Sequence, residues 1–586
     1  MRYAIALCIA LSAVLGMAPT RAVAACGPAL HACLATATHA AAACRALCRH
    51  RDEAGCAEGC TAERDAARAA CRSADVPCAA LCGAESTCRE SVRSCRRTAR
   101  RALHACRRAC TPLDPGGRHG CFARCADARA SDEIACGYQA IGVIAGTAAV
   151  PVLPSGRAAD LSLLDSAELA AIAAADARAA ALRTRPVRLW VGRPGVSVRI
   201  VQRRHRFPFG FPIDLRRFAD DSERDWYAET MAAHFGLVVI ENTQKWANVE
   251  PSEGMRVFDA SDADVAWGNA LGLPVKGHAA LWGIVPPFSS SGVPAWALAR
   301  FATLPLSADD AAALREIVRR HVLDLVGRYR GDIAIWDATN ETLQPFAQWF
   351  NARLGSGIVD DVFRWAHEAD PDAQLVFNEW IVEVFTGFPE PTAAQVRDRV
   401  LALRAAGVAV HAIGQQAHFV PGIAFAGLPA DLSQRTRLDD YASALDTLAE
   451  AGLPIHITET NFIAPDDPER RAAQAEGLLR LWWGHPAVQQ VVFWGPWNKV
   501  AGRDEFDVGF WDDARNLTRH GEAVLSLLND RWRTDVTLVT DAQGVVQFTA
   551  THGEHVAEWS ADGTPAHIVF DVQPGSGTMT VAATGA

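Results

Sequence analysis

Residues 328–341 read RYRGDIAIWDATNE: a helix-like stretch stops at a glycine, a short apolar run follows, and the run closes on Asn340 and Glu341. An apolar run this short, rich in β-branched and aromatic residues and bounded by turn residues, predicts a buried strand over 333–341. Moving outward, the pattern recurs at 207–213 (FPFGFPI), 237–242 (LVVIEN), 274–282 (PVKGHAALW), 374–380 (QLVFNEW), 410–419 (VHAIGQQAHF), 455–461 (IHITETN) and 491–497 (VVFWGPW). That makes eight predicted strands, separated by amphipathic helical stretches such as 307–329 and 435–451. Eight alternating units over about 320 residues predict an α/β fold, the (β/α)8 TIM barrel, whose reactive groups stand at the C-terminal ends of the strands.

The strand ends carry an unusual set of polar and aromatic residues. The second gives Glu241 and Asn242 with Lys245 and Trp246 just beyond; the third gives His278 and Trp282; the fourth gives Asn340 and Glu341. The sixth ends in Gln416 and His418, the seventh in Glu459, the eighth in Trp494 and Trp497. Carboxylates, amides and imidazoles hydrogen-bond hydroxyl groups, and indole faces pack on pyranose rings, so the set describes a carbohydrate cleft. Each residue alone has a plainer reading: a strand-end glutamate as an ion-pair partner, His278 or His418 as a satisfied core histidine. Agreement at six strand ends is what packing alone does not produce. Trp336 and Trp365 are read as core.

The remainder of the chain is of a different kind. The 586 residues are 50% hydrophobic and 21% charged with a net charge of −10, a globular composition that excludes disorder, collagen and coiled coil. All 17 cysteines fall between Cys8 and Cys136. Residues 1–25 read as a signal peptide: Arg2, an apolar run from Ala4 to Met17, and a small-residue cleavage site at Ala22-Val23-Ala24. That run is too short to span a bilayer, and no membrane span is predicted elsewhere. The alternative, Cys26 as a lipoprotein acceptor, would leave an odd number of thiols.

Export leaves 16 cysteines, the even count of a disulfide framework. Cys26, Cys33, Cys44 and Cys48 recur 62 residues later as Cys88, Cys95, Cys106 and Cys110, an internal repeat. Steps of 4, 7 and 11 put cysteines on one helix face, so 26–140 is predicted to be a disulfide-rich α-helical repeat domain, with a metal cluster as the alternative. A linker is predicted at 141–160, a β-strand lead-in at 161–206, the barrel at 207–530 and a β-rich appendage at 531–586. Residues 26–136 carry 17 arginines against 12 acids, while 137–586 sum to −17, which argues against a nucleic-acid partner. The mildly basic N-terminal region is read as a solvated helix face, with contact to an anionic surface as the other reading.

At FPFG (207–210), ENTQKW (241–246), GHAALW (277–282), RYRGDIAIWDATNE (328–341), AIGQQAH (412–418), LPIHITET (453–460) and HPAVQQVVFWGPW (485–497), the chain resembles glycoside hydrolase family 10. The resemblance is to the retaining endo-β-1,4-xylanases, plant-type members with an N-terminal extension above all, and covers about 185–560. It implies Glu341 as general acid/base and Glu459 as nucleophile, with Asn340, Gln416 and His418 holding the reacting sugar. It further implies Glu241, Asn242 and Lys245 at the next sugar, His278 in the third-strand sugar contact, and Trp282 and Trp494 as walls. The implied partner is a β-1,4-linked polysaccharide, xylan first; no metal or organic cofactor is implied.

Three positions depart from the family pattern: Gly283 where many members have histidine, Asn378-Glu379-Trp380 for Asn-Asp-Tyr, and Asn461 for an acidic residue. They bear on subsite shape and pKa tuning and leave the carboxylate pair intact. The flanks 187–206 and 534–572 alternate like strands and predict a small sheet beside the barrel, with a carbohydrate-binding module as the rival reading. The expected activity is hydrolysis of xylan or another β-linked glycan, against polysaccharide binding by an inactive barrel. Polysaccharide or cell-surface anchoring is an open role for the cysteine region.

Overall fold

The computed structural model describes residues 153, 156–384, 391–419, 437–462, 467–500, 508–561 and 563–583. The signal, the cysteine repeat and most of the linker lie outside the described residues. The lead-in at 161–206 is not all strand. Ser166–Arg183 (SAELAAIAAADARAAALR) is an α-helix closed at its start by a capping box between Asp165 and Glu168. Alanine dominates this segment, and alanine favours helix over strand. The expected strands begin only after it, as β1 (Thr184–Trp190) and β2 (Ser197–His205).

The eight barrel strands are β3 (Phe209–Ile213), β4 (Leu237–Ile240), β5 (Val275–Trp282), β6 (Ile335–Asn340), β7 (Gln374–Glu379), β8 (Ala412–Gln415), β10 (Ile455–Phe462) and β11 (Val488–Phe493), with β9 (His418–Phe419) a two-residue addition beside β10. All pair in parallel, in chain order, and β11 returns to β3, so the sheet closes. The expected helical stretches appear as Ala308–Arg328 and Leu438–Ala449. Between strands and helices runs one continuous apolar core that includes Phe211, Trp336, Phe377 and Trp482. Trp336 is fully buried, and Trp365 packs against the core while half-buried.

The flanks form one body. β1 is joined by β13 (Val545–Thr551) and β16 (Met579–Ala582); β2 lies between β12 (Asp535–Val539) and β14 (Gly553–Ala561), with β15 (Thr564–Val572) outermost. Both sheets share a core of Leu189, Ile200, Val546, Trp559 and Phe570, among others. Chain from before the barrel therefore pairs with chain from after it. The Ser166–Arg183 helix fastens the barrel to this body: Arg183 donates to the carbonyls of Trp483 and Val488, each at 2.8 Å.

Candidate active site

The carboxyl end of β6 turns sharply. Glu341 has φ +56°, left-handed backbone that non-glycine residues seldom adopt, at a cost of about 1–3 kcal/mol. Its N–H bonds the Asn378 carbonyl at 2.9 Å, holding the turn against β7. Ala417, between Gln416 and His418, has φ +58°, so the β8 end is turned in the same way. These two turns lift Glu341, Gln416 and His418 out of the strand alternation.

A chain of amides links the two glutamates. Gln416 Nε2 donates to Glu341 Oε1 at 3.0 Å and to Asn340 Oδ1 at 3.1 Å. Asn378 Nδ2 donates to the same Asn340 oxygen and to Glu459 Oε1, both at 2.8 Å. Thr458 Oγ1 in turn donates to Asn378 Oδ1 at 2.6 Å, which sets the amide's orientation. Trp282 Nε1 donates to Glu341 Oε2 at 2.8 Å, and His418 Nε2 lies 3.2 Å from Glu459 Oε2. His278 sits 3.8 Å from Glu459 Oε1, held by Asp337 at 2.9 Å; Asp337 also pairs with the fully buried Lys276.

These surroundings push the two carboxyls apart. Burial first, and then the charge of Glu459, raise Glu341 to about 7 against the hydrogen bonds from Gln416 and Trp282. Burial also works against an ionised Glu459, but His278, His418 and Asn378 outweigh it and hold that carboxyl at about 2. Between those values one glutamate is a proton donor and the other an anion.

The remaining expected residues surround this centre. Lys245 Nζ donates to Asn242 Oδ1 at 2.8 Å and lies 4.7 Å from the Trp282 ring centroid. Arg217 bonds Glu241 Oε1 at 2.7 Å. Burial lowers Lys245 and raises Glu241 from their ordinary values. Trp494 packs edge-on against His278, with centroids 5.4 Å apart. Two strand-end tryptophans are not part of the cleft. Trp246 is buried with its indole bonded to Glu250, and Trp497 is buried with its indole bonded to the Asp512 carbonyl.

The structure adds partners that a linear reading does not supply: Asn378, Asp337, Lys276 and Arg217. Asn378 was visible only as one residue of the fifth strand end; its position between both glutamates follows from barrel closure. The departures also find their causes. A Cβ at Gly283 would lie 2.3 Å from the Ala347 carbonyl oxygen, so the 345–347 turn occupies the space a side chain would need. Glu379 is buried and accepts from Thr342 Oγ1 (3.1 Å), the Leu343 N–H (2.9 Å) and Gln344 Nε2 (3.2 Å), so it ties down the segment after Glu341. Asn461 is buried, and among the described residues neither of its side-chain polar atoms has a hydrogen-bond partner.

Comparison with known proteins follows the same lines. The model of glycosyl hydrolase family 10 matches residues 199–514, more than half of the chain. Anti-sigma-I factor RsgI6 of Acetivibrio thermocellus is 30% identical over 387 residues, 65% of this chain and 45% of that protein. Endo-1,4-beta-xylanase 1 of Arabidopsis thaliana is 25% identical over 364 residues, 62% of this chain and 34% of that protein. The chain thus spans less than half the length of these two relatives. Native xylanase 10B of Thermotoga maritima aligns over 56% of this chain and 95% of its own, at 23% identity and a TM-score of 0.46.

Proposed function

Because the chain belongs to glycosyl hydrolase family 10, we propose that it is an exported, retaining endo-β-1,4-glycanase whose substrate is xylan. The observation that carries this reading is the opposed state of the two glutamates, Glu341 near 7 and Glu459 near 2, joined through Gln416, Asn340 and Asn378. Glu341, protonated, gives its proton to the leaving glycosidic oxygen, while ionised Glu459 attacks the anomeric carbon. In the second half Glu341, now a carboxylate, takes a proton from the water that hydrolyses the glycosyl-enzyme. Asn378 and His418 hold Glu459 at the angle of attack. Trp282 serves twice, as a wall and as a donor that fixes the Glu341 carboxyl.

Beside this centre, Glu241, Asn242 and Lys245 present a carboxylate, an amide and an ammonium to the hydroxyls of the next sugar. Comparing initial rates of Glu459→Ala and the unaltered protein on xylan, mixed-linkage glucan and an aryl xylobioside tests the reading. Reducing ends released fastest from xylan, and abolished by the substitution in a folded protein, support it. Xylan affinity without reducing-end release would instead establish polysaccharide binding by an inactive barrel. Export, the disulfide framework and anchoring through residues 26–140 belong to this proposal, resting on the signal-like start and the even cysteine count.

A further inference from the structure

The interior of an eight-stranded barrel is ordinarily filled by layers of branched apolar side chains. At the N-terminal end of this one the layer is polar and leaves a cavity of about 260 Å³. Gln374 opens β7, His456 follows the first residue of β10, and Gln490 is the third residue of β11; all three border the cavity, with Ile335 of β6 beside them. The outer wall is Phe207, Trp483, Arg183 and, from the appendage, His552. Glu341 and Glu459 stand at the opposite ends of the strands, so this space is separate from the cleft.

Among the described residues, four polar atoms here have no hydrogen-bond partner: Gln374 Nε2, His456 Nδ1, Gln490 Nε2 and His552 Nε2. Their residues are 3%, 2%, 2% and 7% exposed. Buried polar atoms are nearly always paired in folded proteins, and here four such residues border one cavity.

The charge around the cavity is positive. Among the described residues no aspartate or glutamate lines it. Arg206 is paired with Asp571 at 3.0 Å, but the guanidinium of Arg183 is buried against main-chain carbonyls, and no ion pair to a carboxylate is found for it among the described residues. The guanidinium also lies over the Phe207 and Trp483 rings, 4.4 and 5.4 Å from their centroids, and these contacts leave its charge without an anionic partner, which favours an anion beside it. Amides and imidazoles suit hydroxyls as well as a carboxylate, and the Phe207 and Trp483 rings offer apolar surface. A cavity of about 260 Å³ has room for a ligand the size of one sugar ring. We propose that the barrel floor is a second binding site, for a hydroxylated carboxylate the size of one sugar ring.

The probe is D-glucuronate, titrated calorimetrically into the full chain, with D-xylose and acetate as arms that lack the charge or the ring. Glucuronate is expected to bind more tightly than either, and equally well when xylobiose saturates the cleft. Replacing both Gln374 and Gln490 by leucine should weaken it by about tenfold or more while xylan cleavage is unchanged. Absence of glucuronate binding, displacement by xylobiose, or undiminished binding in the double variant each overturns the proposal. Should that variant fail to fold, a crystal of the unaltered protein soaked in glucuronate decides: a sugar carboxylate at Gln374 and Gln490 supports the site, and water alone there overturns it.

Discussion

Glu341 and Glu459 are the same side chain held in opposite protonation states, and the difference lies in what surrounds them. Glu341 faces an indole N–H and an amide, whereas Glu459 faces two histidines and an amide. The proposed double displacement requires Glu459 ionised and Glu341 protonated. As pH rises through about 7, Glu341 loses its proton and kcat/KM on a short xylo-oligosaccharide should fall, while the acid limb from Glu459 lies far lower, near 2. A profile flat from pH 6 to 9 would remove Glu341 from the role of acid. Glu341→Ala should cut xylan hydrolysis by about 10²–10⁴-fold. An aryl xyloside with a good leaving group should be spared at the bond-breaking step, and equal losses on both substrates would argue for a role other than proton donation. Both glutamates, and Gln416, His418 and Trp282, were legible because each closes a short apolar run in a quotable motif. Asn378 and Asp337 were not legible as partners, since what they touch lies 81 and 59 residues away and is set by closure of the sheet.

The segment that follows Glu341 shows how an element, more than a residue, positions the proposed acid. Its left-handed turn leads directly into 342–344, and Glu379 from the end of β7 accepts three hydrogen bonds from that segment. Burial raises Glu379 to about 8 despite the Leu343 N–H, with the charge of Glu341 adding to the rise. Glu379→Ala would strand these donors and should cost about 1–3 kcal/mol in urea unfolding. It should also lower kcat more than it raises KM, because the acid is misplaced while the sugar contacts remain. An unchanged kcat would show that the turn holds itself. Strand positions were read from the sequence to within a few residues, since short apolar runs bounded by turn residues mark them. The Ser166–Arg183 helix lies within the expected β lead-in although Asp165 and Glu168 carry the spacing of a capping box. The strand-like alternation belongs to the residues after Arg183.

At the scale of the molecule, the barrel and its appendage are closed by chain on both sides of the catalytic region, β1 and β2 pairing with β12 to β16. The described core draws on residues from Leu164 to Val581, all downstream of the cysteine region. A fragment 157–586 should therefore fold and cleave soluble xylan at a rate close to that of the full chain, measured by reducing-end release. Loss of cleavage would make the cysteine region part of the catalytic unit. Double displacement by Glu341 and Glu459 leaves its mark on the anomeric configuration of the earliest products, read by proton NMR. Hydrolysis of a β-1,4-xylo-oligosaccharide should release the β anomer first, with the α anomer growing only as mutarotation proceeds. The α anomer appearing first would contradict the account.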